Sequence, residues 1–171
     1  MTTPAIFESA DFKKVPANVR DAANRMLHGG RGMLLTGGVG VGKSYVLWAM
    51  VNSARKQTGS AERIIRVVNA VELFDRLRDG IDNPRDEFLE ELTKYPGILA
   101  VDDLGAEKPS EWVAERLYRI VNARYEARLP IAVTTNLTLE ALEERAGYRV
   151  VSRLVEACEV VTLEGADRRL A

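Results

Sequence analysis

The chain has 171 residues and a mass of 19.0 kDa, enough for one domain with a full core and short for two. Its 24 Lys and Arg against 25 Asp and Glu give a formal charge of −1, so there is no global basic field for nucleic acid, and any such contact must come from a local patch. A single cysteine, Cys158, and a single histidine, His28, exclude an internal disulfide framework, a multi-cysteine zinc site and a two-histidine metalloprotease centre. No apolar run approaches the ~18 residues of a membrane span, and the opening MTTPAIFESADFKK has no apolar signal core. The expectation is a reduced, cytoplasmic protein without a membrane segment.

In chain order the sequence alternates helices and strands. Val19, Ala22, Ala23, Met26 and Leu27 recur at helical spacing and predict a helix over 17–27, stopped by Gly29 and Gly30 beside His28. GMLLT at 32–36 reads as a buried strand, 37–42 as a glycine-rich loop, and 43–57 as a helix ending before Gly59. A strand is predicted at 63–68, and Asn69 can cap a helix running to 79. Residues 82–94 predict another helix, with Pro84 in its first turn. GILAV at 97–101 is a second apolar strand. A long amphipathic helix follows at 110–128, with Val113, Leu117, Ile120, Val121 and Tyr125 on one stripe. PIAVT at 130–134 is a third apolar strand, followed by helices at 139–144 and 150–157 and a last strand at 159–163. Trp48 and Cys158 are expected in the core, and Trp112 in the core or at a subunit contact.

Short unbroken apolar strands between helices indicate a parallel sheet covered on both faces. Ligands of such sheets lie beyond the carboxyl ends of the strands, and the strongest chemical signals fall there. Gly37, Gly38, Val39, Gly40, Val41, Gly42, Lys43 and Ser44 match GxxxxGK[ST] between a strand and a helix. Glycines let the backbone curl so that successive N–H groups point at phosphate oxygens, and the helix N-terminus adds its positive dipole end. Lys43 is placed to reach the β- and γ-phosphates of a nucleotide, and the Ser44 hydroxyl to bind Mg²⁺.

The second apolar strand ends in Asp102 and Asp103. Neighbouring strand residues point to opposite faces, and a pair at the strand end opens toward the phosphate loop. Asp102 is the natural holder of Mg²⁺ and its water, and Asp103 the group to orient and polarise an attacking water. The third strand ends in Thr134, Thr135 and Asn136. Asn136 either hydrogen-bonds the γ-phosphate or the attacking water, or shares with Thr135 the capping of the next helix; the pattern leaves both open. Arg149 and Arg153 share a helix face, and Arg168 and Arg169 lie near the chain end. Each could stabilise charge on a transferring phosphoryl group or sit in a surface salt bridge, with Glu156 and Glu159 as ready partners.

Together these segments resemble the AAA+ ATPase domain of bacterial and phage helicase loaders of the DnaC/DnaI type, and the related IstB-like transposition ATPases. DDLGAEKPSEW at 102–112 is the most specific stretch, followed by ERLYRIVNARY at 115–125, PIAVTTN at 130–136, RVVSRL at 149–154 and GADRRL at 165–170. The resemblance covers roughly residues 5–170. It implies an α/β P-loop NTPase with the ASCE/AAA+ core and a parallel five-stranded sheet flanked by helices; little or no C-terminal lid is expected, a departure from the family, since the sequence stops just after Arg169. One AAA+ domain would span 1–171, with 1–31 as lead-in segment and 32–171 as P-loop core. Only 36 residues precede Gly37, so the helicase-binding extension typical of loaders is expected to be missing, trimmed away or supplied elsewhere.

The resemblance also implies ATP and Mg²⁺ as cofactors, Walker A at 37–44, Walker B at Asp102 and Asp103, and sensor 1 at Asn136. Arg153 matches the arginine finger and Arg169 the sensor 2 position. The implied activity is ATP hydrolysis, slow or partner-stimulated, because Asp103 is one methylene shorter than the Glu many relatives carry. The implied role is in DNA replication, loading a replicative DNA helicase onto single-stranded DNA, with subunits associating through the ATP interface. The alternatives are an IstB-like transposition helper ATPase and a nucleotide-switched adaptor with little hydrolysis. The acidic strand end, Asn136 on a separate strand, the late arginines and the lack of an acceptor-binding lid all argue against a small-molecule kinase.

Overall fold

Five strands, β1 (Gly32–Thr36), β2 (Ile65–Asn69), β3 (Ile98–Leu104), β4 (Ile131–Thr135) and β5 (Cys158–Thr162), pair in parallel in the order β2-β3-β4-β1-β5. This arrangement comes from a computed structural model that describes residues 2–59, 64–79 and 87–168. Helices α1 (Ala17–Leu27) and α2 (Lys43–Thr58) cover one face. The other carries α3 (Ala70–Asp79), α4 (Glu87–Lys94), α5 (Glu111–Glu126), α6 (Leu139–Ala146) and α7 (Tyr148–Ala157). Strand residues sort by alternation: Met33, Leu35, Ala100 and Ala132 pack toward α1 and α2, whereas Leu34, Leu99, Val101, Ile131 and Val133 pack toward the other layer. Burial on both faces is why β1 and β4 read as unbroken apolar runs. Each buried Leu or Val side chain is worth about 1.5–3 kcal/mol, so the strand that launches the glycine loop is held firmly.

The helix at 17–27 and the strand at 32–36 fall where the pattern predicts them. Helix α2 closes one residue later than predicted, at Gly59, whose N–H donates to Arg55 O at 2.9 Å from a left-handed turn with φ 74°. Helix α5 starts one residue later than predicted because Ser110 is its N-cap, its hydroxyl accepting from Val113 N at 3.2 Å, and it ends two residues earlier, at Glu126. Strand β3 runs on past Val101 to Leu104, through both acidic residues. The predicted strand start at Arg63 and the first part of the predicted helix at 82–94 lie outside the described residues. Trp48 and Cys158 are buried as expected, and Trp112 packs edge-on against Phe74 with ring centroids 6.4 Å apart.

The lead-in segment is strapped along α2. Phe7 stacks on Trp48 with centroids 6.3 Å apart, and Asn52 Nδ2 donates to Phe7 O at 2.9 Å and Ala10 O at 3.1 Å. Two turns nearer the start of α2, the Tyr45 hydroxyl accepts from Asp11 N at 2.9 Å.

On the opposite face Arg124 is fully buried. Its Nη1 donates to Leu92 O and Tyr95 O at 2.9 Å each, and its Nη2 to Gly97 O at 2.5 Å and Pro130 O at 2.7 Å. The guanidinium thereby ties the end of α4 to the segments entering β3 and β4. Burial pulls its pKa down to about 10, which leaves it charged at neutral pH. Among the described residues no helix is long and apolar enough to cross a membrane.

Candidate functional site

Strand β4 lies between β1 and β3, so the carboxyl ends of all three sit side by side. This places the loop 37–42, Asp103 and Asn136 around one cleft of about 410 Å³, with Asp102 buried behind Ser44. Lys43, Ser44, Asp103, Asn136 and Arg168 line its polar side, and Ile6, Phe7 and Tyr45 part of its apolar side. Backbone curvature in the loop rests on glycine: Gly40 has φ 75° and Gly42, the residue that opens α2, has φ 107°. A side chain at Gly40 would also collide with the Asp167 carboxylate, because the C-terminal segment lies across the loop, with Arg168 N donating to Gly40 O at 3.1 Å. The N-terminal amides and positive dipole end of α2 lie at this loop, beside the cleft.

Lys43 is only 6% exposed, and its Nζ donates to Gly37 O at 2.9 Å, Gly38 O at 2.6 Å and Asn136 Oδ1 at 2.5 Å. Asn136 in turn donates from Nδ2 to Asp103 Oδ1 at 2.6 Å. The two readings left open for Asn136 are thereby separated. Thr138 is the N-cap of α6, accepting from Ala141 N at 3.2 Å, and Thr135 is engaged with Leu104 O and Leu137 N. The Asn136 amide bridges a lysine and a carboxylate in the cleft.

Asp102 is buried, and its Oδ1 accepts from Ser44 Oγ at 3.0 Å and Thr134 Oγ1 at 2.6 Å. Burial pushes its carboxyl above the ordinary range, and the two hydroxyl hydrogen bonds pull the other way. Regular alternation would turn Asp103 to the far face of the sheet. Instead the register between β3 and β4 slips between Val101 and Leu104, and Asp103 adopts φ 60°. The bulge keeps both carboxylates on the cleft side. A left-handed conformation in a non-glycine residue costs about 1–3 kcal/mol and persists where the surroundings enforce it.

The donor set fits Mg²⁺. Ser44 Oγ and the Asp102 carboxylate are hard oxygen ligands lying together at 3.0 Å. Mg²⁺ is held by one or two such groups plus phosphate oxygens and waters. Because Ser44 gives its proton to Asp102, its lone pairs remain for a cation.

Arg153 and Arg149 are not part of this constellation. Arg153 does not line the cleft: its guanidinium lies 4.5 Å over the Tyr125 ring, and Nη1 meets Glu156 Oε2 at 3.2 Å. Arg149 sits in the same way over Tyr118, at 4.3 Å. Arg169 lies outside the described residues, while its neighbour Arg168 lines the cleft. Thr134 escaped the sequence reading; the available signal was a hydroxyl in an otherwise apolar strand, two residues before Asn136.

The family model for IstB-like ATP binding protein matches residues 7–171. The chain belongs to the IstB-like ATP-binding family. It is 26% identical over 156 residues to the replicative helicase loader DnaI of Bacillus subtilis, covering 82% of this chain and 48% of that one. It is 31% identical over 138 residues to an ATP-binding protein in an insertion sequence of Mycobacterium tuberculosis, covering 77% of this chain and 53% of that one. The chain thus spans about half the length of the curated relatives it matches. In structure it is similar to the DnaC helicase loader, with a TM-score of 0.79 at 24% identity over 94% of this chain and all of the other. The fold is therefore that of the AAA+ P-loop NTPases, a parallel five-stranded sheet flanked by helices, as the IstB-like sequence pattern implies.

Proposed function

We propose that this IstB-like domain is a Mg²⁺-dependent ATPase of DNA replication that works in the cytoplasm and helps to load a replicative helicase onto single-stranded DNA. The observation that carries the ATPase reading is the continuous link Lys43–Asn136–Asp103 beside the Ser44–Asp102 pair. Loop amides and the N-terminus of α2 bind the phosphates. Lys43, held in the structure by the carbonyls of Gly37 and Gly38, exchanges them for the β- and γ-phosphate oxygens. Asp103 accepts a hydrogen bond from the attacking water and orients it, and Asn136 fixes that carboxylate. Ser44 and Asp102 would hold Mg²⁺, which when bound neutralises charge on the β- and γ-phosphates. The kinship with DnaI supports the helicase-loading part of the reading.

In this reading subunits associate through the ATP interface. Arg153 acts as a finger on a neighbour's γ-phosphate, and Arg169 adds a second cation. The placement of Arg153 away from its own cleft is compatible with a role in trans. An arginine supplied in trans is worth ~10³-fold or more in rate. The test is phosphate release at several protein concentrations, with and without single-stranded DNA. Arg153→Ala and Asp103→Asn proteins are each expected to be nearly inactive alone and to recover part of the activity when mixed. Turnover that stays constant per subunit on dilution, with no recovery on mixing, overturns the trans assignment.

The insertion-sequence relative and the family itself favour a second reading, a transposition helper built on the same ATP site. Capture of the ATP-bound protein's partner from its own host separates the two: a replicative helicase supports the first and a transposase the second. ATP binding with negligible turnover under every condition would instead identify a nucleotide-switched adaptor.

A further inference from the structure

We infer that Thr134 is the positioning residue that joins the cation-holding carboxylate of Asp102 to the water-orienting carboxylate of Asp103. The inference rests on the nucleotide-site reading above. Thr134 is fully buried on β4 and on the same sheet face as Asp102, toward α2. A threonine hydroxyl has one proton to give and two lone pairs. Here one lone pair accepts the Asp103 N–H at 2.8 Å, and the proton goes to Asp102 Oδ1 at 2.6 Å. One oxygen atom therefore touches the backbone of one acid and the side chain of the other.

The bulge explains why β4 must supply this group. Where the register slips between Val101 and Leu104, the regular backbone ladder is interrupted. Two adjacent threonine hydroxyls take its place: Thr134 accepts from Asp103 N, and Thr135, on the opposite face, donates to Leu104 O at 2.7 Å. The left-handed turn at Asp103, φ 60°, is thus clamped on both sides by side chains of β4. Without the Thr134 hydroxyl the Asp103 N–H loses its acceptor and Asp102 loses the shorter of its two hydroxyl hydrogen bonds. The Asp103 backbone then relaxes toward the extended form, carrying its carboxylate off Asn136. Cation holding and water orientation are coupled through one hydroxyl.

Thr134→Val keeps the shape and removes the hydroxyl, while Thr134→Ser keeps the hydroxyl. Three readouts are needed: thermal melting without nucleotide, the Mg²⁺ concentration at half-maximal ATP binding, and single-turnover phosphate release. Thr134→Val is expected to raise the Mg²⁺ midpoint about tenfold, in line with loss of a hydrogen bond to a charged group, and to slow release at least tenfold. Its ATP affinity in EDTA should be that of the wild type, because Lys43 and the loop are untouched. Thr134→Ser should stay within about threefold of the wild type throughout.

Should the valine protein fail to fold, Thr134→Ala against Thr134→Ser, which differ by the hydroxyl alone, makes the same comparison. Equal losses in the hydroxyl-bearing and hydroxyl-free variants, or a changed melting temperature with an unchanged Mg²⁺ midpoint and rate, overturn the inference. A wild-type protein that binds no ATP overturns the nucleotide-site reading first and the role of Thr134 with it.

Discussion

Asn136 holds Asp103: the amide Nδ2 donates to the carboxylate Oδ1 at 2.6 Å, joining the end of β4 to the bulge in β3. The same amide accepts from Lys43 on its other side, so a cation and an anion from separate strand ends are fixed relative to one another. In the proposed ATPase reading, both groups would meet the terminal phosphate from different directions. A small shift of β4 against β3 would separate them.

The proposed reading gives the two carboxylates separable roles. Asp103→Asn is well suited to isolate charge, because asparagine tolerates the left-handed backbone that Asp103 occupies. It should bind ATP within about threefold of the wild type and lose about 10²-fold or more in turnover. Asp102→Asn should weaken Mg²⁺-dependent binding about tenfold by losing a charged acceptor for Ser44 and the ion. Calorimetric titration together with a phosphate-release assay checks both. Equal losses in binding with unchanged kcat would show that the division of labour is wrong.

Arg124 is expected to be a stability residue with no effect on nucleotide affinity. Arg124→Met leaves the carbonyls of Leu92, Tyr95, Gly97 and Pro130 without their common donor. At about 1–3 kcal/mol for a buried unsatisfied group, with some relaxation, the loss should be about 3 kcal/mol or more. For a domain of this size that lowers Tm by about 6–12 °C, measurable by calorimetry. The folded fraction should still bind ATP as the wild type does.

Cys158 gives a pH signature. Desolvation of the buried thiol pushes its pKa up from 9.0 to about 12. Above pH 9 the unfolded chain loses this proton while the folded chain keeps it. The stability contribution is therefore fully present below pH 9 and is lost as pH rises toward 12, with a slope of at most about 1.4 kcal/mol per pH unit. Denaturant midpoints measured from pH 8 to 10.5 should fall more steeply for the wild type than for Cys158→Ala. Parallel curves would show that the thiol titrates alike in both states. The native thiol should also resist alkylation at pH 8 until the protein unfolds.

Much of this architecture is legible in the sequence because it depends on local pattern. Unbroken apolar runs such as Gly32–Thr36 declare strands buried on both faces, and Gly37 through Ser44 name a phosphate loop by composition. What escapes is what distant segments decide. Nothing near Asp103 announces its left-handed turn, since the hydroxyls bonded on either side of it, those of Thr134 and Thr135, stand on β4 some thirty residues away. Arg124 falls on the apolar stripe of α5, four residues after Ile120, yet no local pattern shows the carbonyls that receive it, which come from α4 and the segments entering β3 and β4. The insertion of β4 between β1 and β3, which gathers the whole site, is likewise a packing decision that no local pattern carries.

The most direct measurement is calorimetric titration of Mg·ATP into the wild type and Lys43→Ala. Lys43 is the cation buried beside the loop, already bonded to Gly37 O, Gly38 O and Asn136. Its removal should cost about 1.5–3 kcal/mol of charge-assisted hydrogen bonding, a tenfold to hundredfold loss of affinity. Binding of one ATP per wild-type chain, and binding at least tenfold weaker in a Lys43→Ala protein that still melts cooperatively in the absence of nucleotide, is the expected result. Equal affinity in the two proteins would contradict the assignment of this cleft as the ATP site.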